Sequence, residues 1–163
     1  MTEPAPINAE TYISVQHDDF DMAAEYQRLA GSASCGAVVT FSGLVREFAK
    51  LSEQDAPKVT ELFLEHYPGM TEKALADIVE RARSRWPLGP VTVIHRIGAL
   101  PLNAQIVFVG VASAHRDAAF SAAQFIMDFL KTEAPFWKRE TADGKTSWVD
   151  ARQSDQEASK RWS

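Results

Sequence analysis

An α+β domain is the expectation for this chain of 163 residues. Three features carry it. Strand and helix patterns mix without a strict βαβ rhythm. The apolar run Ile106-Val107-Phe108-Val109-Gly110-Val111-Ala112 reads as a central strand covered on both faces, and a long amphipathic helix follows it directly. Near the carboxyl end, Asp143-Gly144 between two short polar–apolar runs is a hairpin turn signal.

In chain order, Tyr12 to Val15 predicts a short strand. Asp21 to Leu29 predicts a helix with Ala23, Tyr26 and Leu29 on one side. Gly36-Ala37-Val38-Val39-Thr40-Phe41-Ser42-Gly43 is a β-rich run ending in glycine. The polar stretch over 49–58 carries little to bury and predicts a mobile loop. Val59 to Tyr67 alternates as a strand does, and Pro68-Gly69 turns the chain. Thr71 is placed to cap a helix in which Leu75, Ile78, Val79, Ala82 and Trp86 recur at helical spacing, until Pro87 stops it. Val91 to Ile97 and Gln105 to Ser113 predict two more strands.

The helix over Arg116 to Thr132 is bounded by Pro135. Phe120, Ala122, Ala123, Phe125, Ile126, Met127, Phe129 and Leu130 cover more than half its circumference, leaving a strip of Asp117, Ser121, Gln124 and Asp128. One sheet cannot cover so wide an arc, so packing against a second subunit is expected. Phe136 to Thr141 and Ser147 to Asp150 flank the hairpin turn, and Ser154 to Trp162 predicts a terminal helix.

Composition narrows the function. Hydrophobic residues make up 45% and charged residues 24%, enough to build one core, so a single domain over 1–163 is expected. The net charge of −5 argues against a nucleic-acid footprint spread over the surface. The single cysteine, Cys35, excludes an internal disulfide and any CxxC motif, and the four histidines have no zinc-type spacing. With neither a signal-peptide pattern nor an apolar run long enough for a bilayer, a cytoplasmic protein without membrane contact is expected.

Candidate chemistry gathers in a few places. His115-Arg116 lies where the buried strand gives way to the long helix, whose unpaired N–H groups and dipole suit an anion. A solvated Arg116 is the plainer alternative. Lys131 sits in the last turn of that helix, where a cation is ordinary. Lys138, Arg139 and Glu140 follow two bulky aromatics; in a strand Lys138 and Glu140 share one face and Arg139 takes the other. Arg46 follows the Gly43-Leu44 break. Glu65-His66 and His95-Arg96 read as sheet-face or interface residues, and Cys35 as a packed thiol. Two lysines and an arginine converging on one pocket would hold a phosphate and supply a proton.

Whole segments go further. Gly36 through Arg46, Leu64-Glu65-His66-Tyr67-Pro68-Gly69-Met70, Trp86-Pro87-Leu88-Gly89 through Gly98, and Phe108 through Ala114-His115-Arg116 form one set. Lys131-Thr132-Glu133-Ala134-Pro135-Phe136-Trp137-Lys138-Arg139-Glu140 and Trp148-Val149-Asp150-Ala151-Arg152 complete it. Together, over roughly residues 36 to 162, they resemble the family of molybdopterin synthase catalytic (large) subunits. Residues 1–34 form an N-terminal part outside that match.

The resemblance implies a hammerhead-type α/β domain with an additional antiparallel β subdomain. It implies a homodimer in which each copy binds a small ubiquitin-like sulfur-carrier subunit, giving a heterotetramer. It implies sulfur transfer from the carrier's thiocarboxylated Gly-Gly tail to cyclic pyranopterin monophosphate, forming the molybdopterin dithiolene, with no metal or organic cofactor. The family's substrate-binding positions fall on Leu44, Val45, Arg46, His115, Arg116, Lys131, Lys138, Arg139 and Glu140. Its two important lysines correspond to Lys131 and Lys138, while Phe41, Met127 and Arg152 are expected to support the pocket. Leu44 stands where the family often has a basic residue. Two other readings remain beside this one: a non-catalytic module that holds a ubiquitin-like protein, and a phosphate-ester enzyme that uses the anion pocket without a carrier.

Overall fold

The computed structural model describes residues 10–47, 58–142, 144–149 and 153–163. In chain order the elements are β1 (Thr11–Gln16), α1 (Met22–Ala30), β2 (Ala37–Leu44), β3 (Val59–His66), α2 (Met70–Arg85) and β4 (Val91–Arg96). They continue with β5 (Gly98–Pro101), β6 (Gln105–Ser113), α3 (Arg116–Glu133), β7 (Phe136–Ala142), β8 (Lys145–Val149) and α4 (Gln153–Lys160). Two four-stranded sheets result, ordered β1-β4-β6-β2 and β5-β3-β7-β8. Only the β1–β4 pair is parallel among the described strand pairs. The class is α+β, with the second sheet wholly antiparallel.

The first sheet is covered on both sides, as the unbroken apolar run of β6 requires. On one side Val91, Val93, Val107, Val109 and Val111 meet Leu75, Ile78, Val79 and Ala82 of α2 and Ala122, Phe125, Ile126 and Leu130 of α3. On the other, Ile94 and Phe108 meet Phe20 and Leu29, the buried residue of α1. Gly110 of β6 leaves room for Leu29 of α1; any side chain there would run into Leu29 and Phe108. A smaller core under the second sheet joins Val45, Leu62, Leu64, Ile97 and Leu100.

Three expectations are corrected. The first is β5, a strand not foreseen: Gly98 at φ 85° turns the chain out of β4, and four residues bounded by glycine and proline carry no alternation to read. The second concerns Thr71, which does not cap α2. Gly69 occupies that position and donates its N–H to Glu72 at 2.7 Å. Thr71 is fully buried instead, its hydroxyl 3.0 Å from the Tyr67 carbonyl and 3.2 Å from that of Pro135, and so ties α2 to the start of β7. The third is α1, which begins at Met22 under an Asp21 cap and buries Leu29, while Ala23 and Tyr26 are exposed.

The expected loop over 49–58 lies, Lys58 apart, outside the described residues, as do Asp143 and Arg152. Among the described residues no helix is long and apolar enough to cross a membrane.

Candidate active site

A cavity of about 260 Å³ opens where the end of α3, the inner face of the second sheet and α4 meet. Leu44, Val45, Arg46, Val59, Leu62, Ile106, Lys131, Lys138, Glu140 and Asp155 line it. Six of the expected substrate-binding residues are therefore in one place: Leu44, Val45, Arg46, Lys131, Lys138 and Glu140.

Local structure explains the convergence. Leu130 anchors the last turn of α3 in the core, which leaves Lys131 at the exposed margin of the helix. Pro135 ends the helix, and β7 starts at Phe136, so a short connection folds Lys138 back beside Lys131. Period-two alternation then puts Glu140 on the same face as Lys138. In the pairing with β3, Lys138 stands opposite Leu64 and Glu140 opposite Leu62.

Arg46 is held from behind by Val45. The Val45 side chain is buried, its N–H donates to the Ala104 carbonyl at 3.0 Å, and its own carbonyl accepts from Asn103 at 2.8 Å. Asn103, at φ 66°, forms the tight turn between β5 and β6 that makes this possible. The fourth wall is α4, whose position is fixed by the chain's penultimate residue. Trp162 packs edge-on against Trp86 and Phe125 and donates its indole N–H to Asp128 at 2.7 Å. Asp155 in the cavity was not foreseen; nothing in the spacing of a terminal polar helix points to it.

The lining carries three cations, Arg46, Lys131 and Lys138, against two carboxylates, Glu140 and Asp155. Such a surface favours an anion while keeping carboxylates within reach of its protons. Behind it lies His95, fully buried and stacked on Phe136 with ring centroids 3.8 Å apart. Burial pushes its imidazole down to about 3, and the nearby Lys131, Lys138 and His66 push the same way, so the ring is neutral.

The other expected residues lie elsewhere. Arg139 is on the opposite face of β7, its guanidinium 4.5 Å over the Phe63 ring and 5.4 Å from that of Trp148. His115 and Arg116 are exposed at the far end of α3, about 22 Å from Lys131 at the rise of an α-helix. His115 occupies the N-cap position without a side-chain capping bond. Phe41 and Met127 line a separate groove of about 390 Å³ between β2 and α3, with Val39, Thr40, Phe120, Ala123, Gln124 and Asp128. Among the described residues no group of three or more metal-ligating side chains occurs.

Known proteins match most of this chain. The family model described as MoaE protein matches residues 15–133. The molybdopterin synthase catalytic subunit of Escherichia coli is 59% identical over 94% of this chain and 99% of that protein. Among solved structures, the molybdopterin biosynthesis MoaE protein of Burkholderia ambifaria superposes with a TM-score of 0.78 at 45% identity, covering 94% of this chain and 98% of that one. The molybdopterin synthase structure from Staphylococcus aureus gives a TM-score of 0.75 at 30% identity, covering 83% of this chain and 95% of that one. With a fold shared along nearly its whole length and a model matched across its central sheet and helices, the chain belongs to the MoaE protein family.

Proposed function

We propose that this chain is the sulfur-transferring catalytic subunit of a molybdopterin synthase. The observation that carries the reading is the cavity that brings Lys131, Lys138, Arg46 and Glu140 together, together with relatives named as catalytic subunits over nearly their full length. A catalytic subunit implies a second subunit. The partner proposed is a small ubiquitin-like carrier whose thiocarboxylated tail enters this cavity from solvent, in the cytoplasm.

The substrate proposed is cyclic pyranopterin monophosphate. Its phosphate and the carrier's terminal thiocarboxylate are both anionic, and both suit a lining with three cations. Sulfur attack on the pterin side chain, opening of the cyclic phosphate and hydrolysis of the acyl link each move a proton. Lys131 and Lys138 stand where an ammonium can donate one, and Glu140 where a carboxylate can orient a lysine or accept one. The carrier supplies the sulfur, so the reaction proposed needs no metal or organic cofactor.

A homodimer is part of the same reading. The groove between Phe41, Phe120 and Met127 leaves Phe120 62% and Phe41 43% exposed, an apolar surface of the kind that subunit contacts cover. If His115-Arg116 and Lys131 serve one substrate, as the family positions imply, then one copy's α3 start serves the other copy's cavity.

Reconstitution tests the function. The purified chain, a thiocarboxylated carrier and the pterin precursor should form molybdopterin, and omission of either protein should abolish it. Product formed without the carrier, or none formed with it, contradicts the reading.

A further inference from the structure

His95, a sheet-face residue by its place in the sequence, has a more specific position in the fold. It belongs to β4 of the first sheet, yet its ring lies flat on Phe136, the first residue of β7 in the second. The interplanar angle is 19°. Its Nδ1 is 2.8 Å from the Arg96 carbonyl, a group that can only accept, so Nδ1 carries the proton and Nε2 is the acceptor. One edge of the ring is thus fixed to its own strand and one face to the strand that carries Lys138. Phe136 and Lys138, two residues apart, share a face of β7.

We infer that His95 is a positioning residue for Lys138: the ring sets where β7 leaves α3 and, from behind the cavity lining, keeps a polar but uncharged group close to the lysines. The inference rests on the function proposed above. Every charged or titratable group close to the ring fits an uncharged partner. Lys131 comes from α3, Lys138 from β7 and His66 from β3. Arg96, its neighbour on β4, is engaged with the carbonyls of His17 and Gln105. A cationic side chain at position 95 would repel both lysines. An apolar one would make the interior behind Lys138 less polar, which favours the neutral amine.

His95→Phe separates these contributions, since it keeps a ring to stack on Phe136 and removes both nitrogens. It is read in the full chain with its carrier, alongside the unaltered protein, by kcat, KM for the pterin and the pH profile of kcat. A second readout needs no turnover: the rate at which an amine acylating reagent labels Lys138, with the exposed Lys73 as internal reference. The expected result is a folded protein with kcat lowered about tenfold, KM within about twofold, and the profile displaced toward lower pH. Labelling of Lys138 should rise about twofold or more at fixed pH, with Lys73 unchanged. A folded His95→Phe with unaltered kcat, pH profile and labelling overturns the inference. An inactive unaltered protein would instead count against the proposed function, while the labelling still decides on His95. Should His95→Phe not fold, Phe136→Leu removes the stack from the other side. Lower kcat at unchanged KM then supports the inference, and normal kcat overturns it.

Discussion

Lys138 and Arg139 are neighbours in β7 and serve opposite faces of one sheet. Lys138 lines the cavity with Lys131, whereas Arg139 lies 4.5 Å over the ring of Phe63 on the other side. Both were expected to bind substrate. The pairing of β7 with β3 admits only one of them to the cavity, because Phe63 opposite Arg139 faces away from Leu62 and Leu64.

Arg139→Gln is therefore expected to keep sulfur transfer within about threefold of normal. It should lower stability by about 1 kcal/mol, through loss of the stacked cation. Steady-state rates and thermal unfolding check the two parts. A hundredfold loss of activity in a stable protein would return Arg139 to the cavity.

Stability should depend on pH through His95. Its pKa is about 3 when folded, against an ordinary 6.5, because burial disfavours the charged ring. Between those values the unfolded chain binds the extra proton. Stability from this residue is thus complete above pH 6.5 and falls as pH drops toward 3, by up to about 1.4 kcal/mol per unit. Denaturant melts at intervals from pH 7 to 4 should show a steeper loss for the unaltered protein than for His95→Phe. Parallel losses would contradict this.

The terminal helix should be held by Trp162. Trp162→Ala removes the edge-on contacts with Trp86 and Phe125 and the hydrogen bond to Asp128. A loss of about 2–3 kcal/mol is expected, with faster amide exchange over Gln153–Lys160. Activity should fall as well, since Asp155 reaches the cavity from this helix. Unchanged exchange in α4 would show that other contacts hold it.

Much of this arrangement was legible in the sequence, for identifiable reasons. The period of α3, the unbroken apolar run of β6 and the Pro135 break each act over a few neighbouring residues. Together they placed Lys131 and Lys138 at the two sides of one short connection. The strand period likewise put Lys138 and Glu140 on one face. What escaped depends on residues far apart in the chain. β5 is a strand because Leu62 and Leu64 of β3 have a free edge for it, not because of its own four residues. Asp155 reaches the cavity because Trp162 docks on Trp86, 76 positions earlier in the chain. The opposite placement of His115 and Lys131 on one long helix was legible, but family motifs do not reveal whether the two ends meet one substrate within a single copy of the chain.

That separation gives a prediction on assembly. Arg116→Ala and Lys131→Ala should each impair sulfur transfer when alone. Mixed and reassembled, the two variants should recover about a quarter of normal activity, because half of the dimers are mixed and each mixed dimer retains one intact cavity. Light scattering should find a dimer, and Phe120→Glu should weaken it. No recovery from a mixture shown to exchange subunits would place Arg116 outside the substrate site.

The central claim is that sulfur transfer takes place in the cavity between α3 and β7. The most direct measurement is molybdopterin formation in a single turnover, from thiocarboxylated carrier and pterin precursor, with the unaltered chain and with Lys131→Ala or Lys138→Ala. Each lysine variant is expected to stay folded and to bind the carrier, with product formation slowed about a hundredfold or more. Folded lysine variants that both form product at near-normal rates would contradict the claim.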